Sequence, residues 1–130
     1  MFAEISTNDV TLFQVFGLND GTNDNRLYFY FSASRVYGFL TAGGANEFNQ
    51  FTAATNDTFY KLVISWKVNE IRYYVDGVEI AEDLSNTMAT GLDRLSFANY
   101  NNSSPLYGKT KQLRVYSSIA SATIDLPYIT

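Results

Sequence analysis

Three groups of side chains in this chain have the types and spacing for chemistry. The loop Asn19–Asn25 brings together Asp20, Asn23, Asp24 and Asn25, hard oxygen donors of the kind a calcium ion prefers, with Asp20 and Asp24 as the candidate ligands. It lacks the spacing and closing bidentate glutamate of an EF-hand, and the same residue types make ordinary turns. Glu79, Glu82 and Asp83 crowd one short segment, which invites comparison with a pair of carboxylates flanking a glycosidic bond. Strand alternation sets Glu79 on the face opposite Glu82, so the cluster reads as a solvated edge. The third group is Asn99-Tyr100-Asn101-Asn102-Ser103-Ser104. Amide donors and acceptors beside an aromatic ring match sugar hydroxyls, and they also match an ordinary polar loop.

Much other chemistry is closed off. Without cysteine there are no disulfides, thiolate metal sites or cysteine nucleophiles. Without histidine the usual general base, the commonest metal ligand and any Ser-His arrangement are missing. Walker loops, dinucleotide fingerprints and nucleophile elbows are absent too, and the expectation is a protein that is not an enzyme and needs no cofactor beyond a possible calcium ion. Nine Lys and Arg against thirteen Asp and Glu give a net charge of −4, and the scattered basic residues form no stripe that would follow phosphates, which argues against nucleic acid. No stretch approaches the roughly 18 apolar residues of a spanning helix, and Glu4 stands where a signal peptide needs basic residues. A soluble chain with no membrane insertion and no ordinary secretion signal is expected.

The elements that must position these groups are strands. Apolar residues make up 46% of the 130 residues and aromatic residues 16%, enough for one ordered domain spanning residues 1–130. Period-two patterning, with β-branched and aromatic residues between Asn, Asp, Gly and Ser clusters, gives an all-β class. Strands are expected at Phe2–Ser6, Leu12–Gly17, Arg26–Phe31, Arg35–Thr41, Glu47–Thr52, Phe59–Trp66, Ile71–Asp76, Val78–Glu82, Arg94–Ala98 and Lys109–Tyr116. Asp76-Gly77 is a two-residue hairpin signal, because both central positions of a type I′ turn need positive φ. Ser121 is placed to cap a short helix through Leu126, which Pro127 would stop.

Alternation then sorts the side chains. Leu27, Phe29 and Phe31 share one face; so do Ile71, Tyr73 and Val75, and Tyr60, Leu62, Ile64 and Trp66. These apolar faces should meet between two sheets. The opposite faces carry Tyr28, Tyr30 and Tyr74 with Arg26 and Arg72, an enrichment that binding surfaces show. A tyrosine ring covers the C–H face of a pyranose while its hydroxyl stays wet; cross-strand aromatic pairing alone would produce the same pattern. The candidate binding residues for a glycan or a protein are therefore Tyr28, Tyr30, Tyr74, Arg72, Asn99, Tyr100, Asn101 and Asn102.

In order and spacing, Phe2-Ala3-Glu4, Asp20-Gly21-Thr22, Asn25-Arg26, Val75-Asp76-Gly77-Val78-Glu79, Thr90-Gly91-Leu92-Asp93-Arg94-Leu95, Tyr107-Gly108-Lys109 and Gln112-Leu113-Arg114-Val115-Tyr116 resemble the concanavalin A-like, laminin-G-like lectin and glucanase superfamily. The form resembled is the one found in bacteriophage tail fibre and virion proteins. The resemblance implies a two-sheet antiparallel jelly-roll β-sandwich without catalytic activity. It also implies a virion location, at the tail or capsid surface, with host-surface carbohydrate, other virion proteins or further copies of the chain as partners. A free lectin-like module, calcium-assisted through Asp20 and Asp24, is the alternative. The Glu-x-Asp-x-x-Glu strand signature of the related glucanases does not occur. Relatives usually carry additional strands before the segment matching Phe2-Ala3-Glu4, and missing strands would leave open edges: either the chain is a fragment, or a neighbour completes the sandwich, as in a homo-oligomer.

Overall fold

Strands form wherever the alternating segments stand between turn-forming clusters. The computed structural model describes residues 1–116, so the expected helix at Ser121–Leu126 lies outside the described residues. Ten strands run in chain order: β1 Phe2–Thr7, β2 Gln14–Asn19, β3 Arg26–Ser32, β4 Arg35–Ala42, β5 Ala45–Ala53, β6 Tyr60–Lys67, β7 Glu70–Val75, β8 Val78–Asp83, β9 Arg94–Ser96 and β10 Gly108–Arg114. Each expected strand is present.

They pair into two five-stranded sheets, a first in the order β10-β1-β6-β7-β8 and a second in the order β5-β4-β3-β2-β9. All the strand pairings are antiparallel. Strand β1 lies inside the first sheet between β10 and β6; the edges are β10, β8, β5 and β9. The tight connections follow from backbone chemistry. Asp76-Gly77 (φ 51° and 80°) joins β7 to β8, Gly43-Gly44 (56° and 82°) joins β4 to β5, and Ala33-Ser34 (50° and 62°) joins β3 to β4. Positive φ at both central residues gives the twist that matches paired strands.

The core is the meeting of the two inner faces. Leu27, Phe29 and Phe31 of β3 and Val36 and Leu40 of β4 pack with Leu62 and Ile64 of β6 and Ile71 and Tyr73 of β7, all buried. Tyr60 joins them and Trp66 packs against the cluster half-buried. Tyr73 also ties the sheets together, its hydroxyl donating to the Val36 carbonyl at 3.2 Å.

One expectation about faces fails. The pairing of β7 with β8 shifts between Tyr73 and Tyr74, so Arg72 stands opposite Glu82 and Tyr74 opposite Glu79. The extra residue, Ile80, breaks the alternation between the two glutamates and puts both on the same outer face.

Candidate functional site

The outer face of the second sheet is paved with aromatic rings. Opposite one another across β3 and β4 stand Tyr28 with Phe39 and Tyr30 with Tyr37, and β5 adds Asn49 and Phe51. The rings of Tyr30 and Tyr37 stack in parallel at 4.2 Å between centroids. Phe13 meets Tyr30 edge-on at 5.3 Å, Phe39 does so at 5.9 Å from the other side, and Phe51 lies 5.1 Å from Tyr37. Phe13 and Phe51 are nearly half exposed, and Tyr30, Tyr37 and Phe39 are half-buried. The Tyr30 hydroxyl donates to the Asn49 side-chain oxygen at 2.9 Å, and burial first of all raises its pKa above the ordinary phenol value. These rings form a continuous row that solvent reaches.

At one end of the row sits Arg26, its guanidinium carbon 5.1 Å from the Phe39 centroid, 5.6 Å from that of Tyr28 and 5.8 Å from that of Tyr100. Its Nε donates to the Thr41 hydroxyl at 3.3 Å. At the other end Arg35 lies over Phe51 at 4.1 Å. Tyr28 itself is buried, and its ring occupies space that Gly17 leaves open: a Cβ at Gly17 would meet the Leu27 carbonyl oxygen and the Tyr28 ring. Burial pushes the Tyr28 phenol up to about 12, with the Arg26 charge and the nearby Tyr100 backbone opposing the rise, and no group of the described residues meets its hydroxyl in full hydrogen-bond geometry.

Tyr100 reaches this site from a loop that its own side chains fold. The Asn99 side-chain oxygen accepts from the Tyr100 amide at 3.0 Å, and that of Asn101 accepts from the Ser103 amide and hydroxyl. Asn102 takes a positive φ of 65°. The loop is tied to the sheet where the Val15 amide donates to the Ser104 carbonyl at 3.0 Å. Of the amides read from the sequence as sugar ligands, Asn99 and Asn101 thus spend their oxygens holding the turn, which leaves Tyr100 and the exposed Asn102 outward.

Arg72 and Tyr74 are not part of this site. Both lie on β7, on the outer face of the first sheet, across the sandwich from Tyr28 and Tyr30. Grouping them by residue type merged two surfaces, because alternation tells which side of its own sheet a residue takes and not which sheet the strand joins. Arg72 is occupied: its Nε lies 3.3 Å from Glu70, and one Nη lies 3.1 Å from Glu79 and 2.9 Å from Glu82. Its guanidinium is shared between the two glutamates, which the β8 bulge has brought to one face. Tyr74 is raised above the ordinary phenol range, by burial and then by neighbouring Glu79.

The acidic loop is held by turn chemistry. One Asp20 oxygen accepts from the Thr22 amide and hydroxyl at 2.8 and 2.7 Å, and the other from the Asn25 side chain at 2.9 Å. These bonds, that from the Thr22 hydroxyl first, hold the Asp20 carboxyl below the ordinary range. Asp24 is exposed. Among the described residues no group of three acidic, histidine or cysteine side chains converges on a point that would hold a metal ion. A cleft of about 320 Å³ opens between the β5 and β8 edges, lined by Asn46, Glu47, Asn49, Gln50, Glu82 and Asp83.

Tyr37, Phe39, Phe51, Arg35, Phe13 and Asn49 belong to the aromatic face and were not picked out from the sequence. The signal was there in part. Arg35, Tyr37, Phe39 and Thr41 alternate with Val36, Gly38, Leu40 and Ala42 along β4, as the residues of one outward face must.

A family model described as the concanavalin A-like lectin/glucanases superfamily, of the laminin G type, matches residues 2–123. The chain belongs to that family. No curated protein and no solved structure matches it.

Proposed function

We propose that this member of the concanavalin A-like lectin/glucanase superfamily is a non-catalytic binding domain that takes carbohydrate on the outer face of its second sheet. The observation that carries this reading is the row Phe13, Tyr30, Tyr37, Phe39 and Phe51, solvent-reachable rings fixed by stacking and by the Tyr30–Asn49 hydrogen bond. Rings held in place beside wet hydroxyls and an amide suit the mixed apolar and polar surface of a sugar. Of the expected pair Tyr28 and Tyr30, Tyr30 is the contact residue in this reading, and buried Tyr28 packs beside Phe39.

The setting is a bacteriophage particle, with the domain at the tail or capsid surface and host-surface glycan as its ligand; support for this comes from the motif resemblance. A second reading has a specific observation in its favour. Edge strand β5 runs nine residues from Ala45 to Ala53 with one charge, Glu47, and an edge so little protected suits strand pairing with another virion subunit or a further copy of the chain.

Binding of the intact chain to a glycan array, compared with Tyr30→Ala and Tyr37→Ala, tests the proposal. Saturable retention that either substitution weakens about tenfold, with folding intact, is expected from the loss of a stacking contact. Retention indifferent to both substitutions would remove this face as the site. Light scattering across a dilution series decides the second reading: a stable closed oligomer that binds no glycan makes the face a subunit interface.

A further inference from the structure

We infer that the carbohydrate this face takes is anionic: an oligosaccharide bearing carboxylate groups, lying along β3 and β4 with one carboxylate on Arg26 and another on Arg35. The inference rests on the proposed function above and adds the chemical class of ligand.

The two arginines lack carboxylate partners. Among the described residues neither Arg26 nor Arg35 has a carboxylate within ion-pair distance, whereas Lys67, Arg72, Arg94 and Lys111 each have one. The Arg26 Nη donors make no hydrogen bond to the described residues, its Nε alone being engaged by Thr41. Asp20, the acidic loop residue whose charge bears on Tyr28 beside Arg26, spends its carboxylate on Thr22 and Asn25. A guanidinium braced by rings with free Nη donors is a fork suited to a carboxylate, which it binds bidentately and more strongly than it binds a neutral hydroxyl.

Charge is also distributed unevenly over the chain. Its net charge is −4, yet the outward positions of the second sheet's strands carry Arg26, Arg35 and Arg94 and no Asp or Glu. Glu47, at the β5 bulge, is bonded to the Thr87 amide at 2.8 Å. On the first sheet charges of both signs meet, with Glu70, Glu79 and Glu82 gathered around Arg72. A sheet face whose strands present arginines and no acid beside aromatic rings favours anions there.

Spacing sets the size of the ligand. Arg26 and Arg35 stand at opposite ends of the β3–β4 hairpin, roughly 20 Å apart at the rise of a β-strand. That distance needs a chain of sugars, and the stacked pair Tyr30 and Tyr37 lies between the two charges.

The test is binding of the intact chain to an array of neutral, uronic-acid and sialylated oligosaccharides, with the methyl esters of the acidic ones. Expected are retention of acidic glycans, loss of about tenfold or more on esterification, and a similar loss in Arg26→Ala that Arg26→Lys recovers only in part, since lysine keeps the charge and not the fork. Rising ionic strength should weaken the acidic interactions alone. Equal retention of acids, esters and neutral glycans, with Arg26→Ala and Arg35→Ala unchanged, would overturn this inference and leave the proposed function standing. Failure of the folded chain to retain any glycan would overturn both.

Discussion

Gly38 of one sheet and Tyr73 of the other face each other across the core, and the missing side chain of the first is the space occupied by the second. A Cβ on Gly38 would lie 2.8 Å from the Tyr73 ring, and that ring also packs on Phe29 at 6.1 Å. The Tyr73 hydroxyl reaches past it to the Val36 carbonyl. Gly38→Ala should therefore destabilise the fold by about 1–3 kcal/mol, the usual result of overpacking a core. Gly38→Ala combined with Tyr73→Leu should lose less than the sum of the two single changes, because the smaller side chain yields the contested volume. Urea denaturation of the four proteins measures the coupling; additive losses would mean the two positions do not compete.

This pair also shows what was legible in the sequence and what was not. Alternation alone placed Tyr73 inward with Ile71 and Val75, and placed Leu27, Phe29 and Phe31 inward, because a strand buried on one face must repeat every second residue. All ten strands followed from the same rule. Facing partners across the sandwich are long-range, and nothing near Gly38 says that Tyr73 will fill its place. The aromatic site failed for that reason. Tyr74 and Arg72 look like Tyr28 and Arg26 in their own strands, and only the sheet order β10-β1-β6-β7-β8 sends them to the other side. One bulge at Ile80 was enough to undo the separation of Glu79 from Glu82.

The Ala33-Ser34 turn stores strain that can be removed. Both residues hold positive φ, a region that side chains other than glycine, asparagine and aspartate enter at a cost of roughly 1 kcal/mol each. Both are exposed, so the substitution removes no core contact, and the backbone bonds from the Ala33 and Ser34 amides to Thr11 and Val10 carbonyls can remain. Ala33→Asn with Ser34→Gly should raise stability by about 0.5–1.5 kcal/mol. A lower thermal midpoint would show that the turn is held by contacts the new residues disturb.

Acid sensitivity should arise in part at Glu70. Lys67 first, then Arg72, holds its carboxyl below the ordinary 4.5, through contacts of 3.0 and 3.3 Å. A carboxylate depressed in the fold is still ionised at a pH where the unfolded chain has already taken up a proton. Its contribution is present above the ordinary glutamate value and is lost as pH falls through that value toward the lower folded one. Glu70→Gln should flatten the dependence of the urea midpoint on pH below about 4.5 and change little at neutral pH. An unaltered slope would place the acid-labile groups elsewhere.

Calcium should leave the chain's stability unchanged. With the Asp20 oxygens already accepting from Thr22 and Asn25, an ion would have to displace those bonds and find most of its six to eight oxygens elsewhere. A ligand that binds only the fold raises the melting temperature in proportion to ln(1 + [L]/Kd). Scanning calorimetry with millimolar calcium and with chelator should therefore superimpose. A rise with calcium that Asp20→Asn abolishes would establish the loop as a metal site.

Tyr28→Phe isolates the cost of a buried hydroxyl without a partner. The ring would keep its place over Gly17 and beside Phe39 and Arg26, while the unsatisfied Oη disappears. Removing such a group recovers about 1 kcal/mol or more, so the variant should be as stable as the parent or more so. The alkaline limb supplies an independent readout. The Tyr28 phenol is raised from 10.0 to about 12, so its stabilising contribution is complete below pH 10 and is lost between 10 and about 12, as the unfolded chain ionises and the fold does not. In Tyr28→Phe the stability profile above pH 10 should fall less steeply. If the variant is instead less stable at neutral pH, the hydroxyl is engaged by the Tyr100 backbone, a contact that lowers the phenol pKa and leaves burial as the cause of its rise.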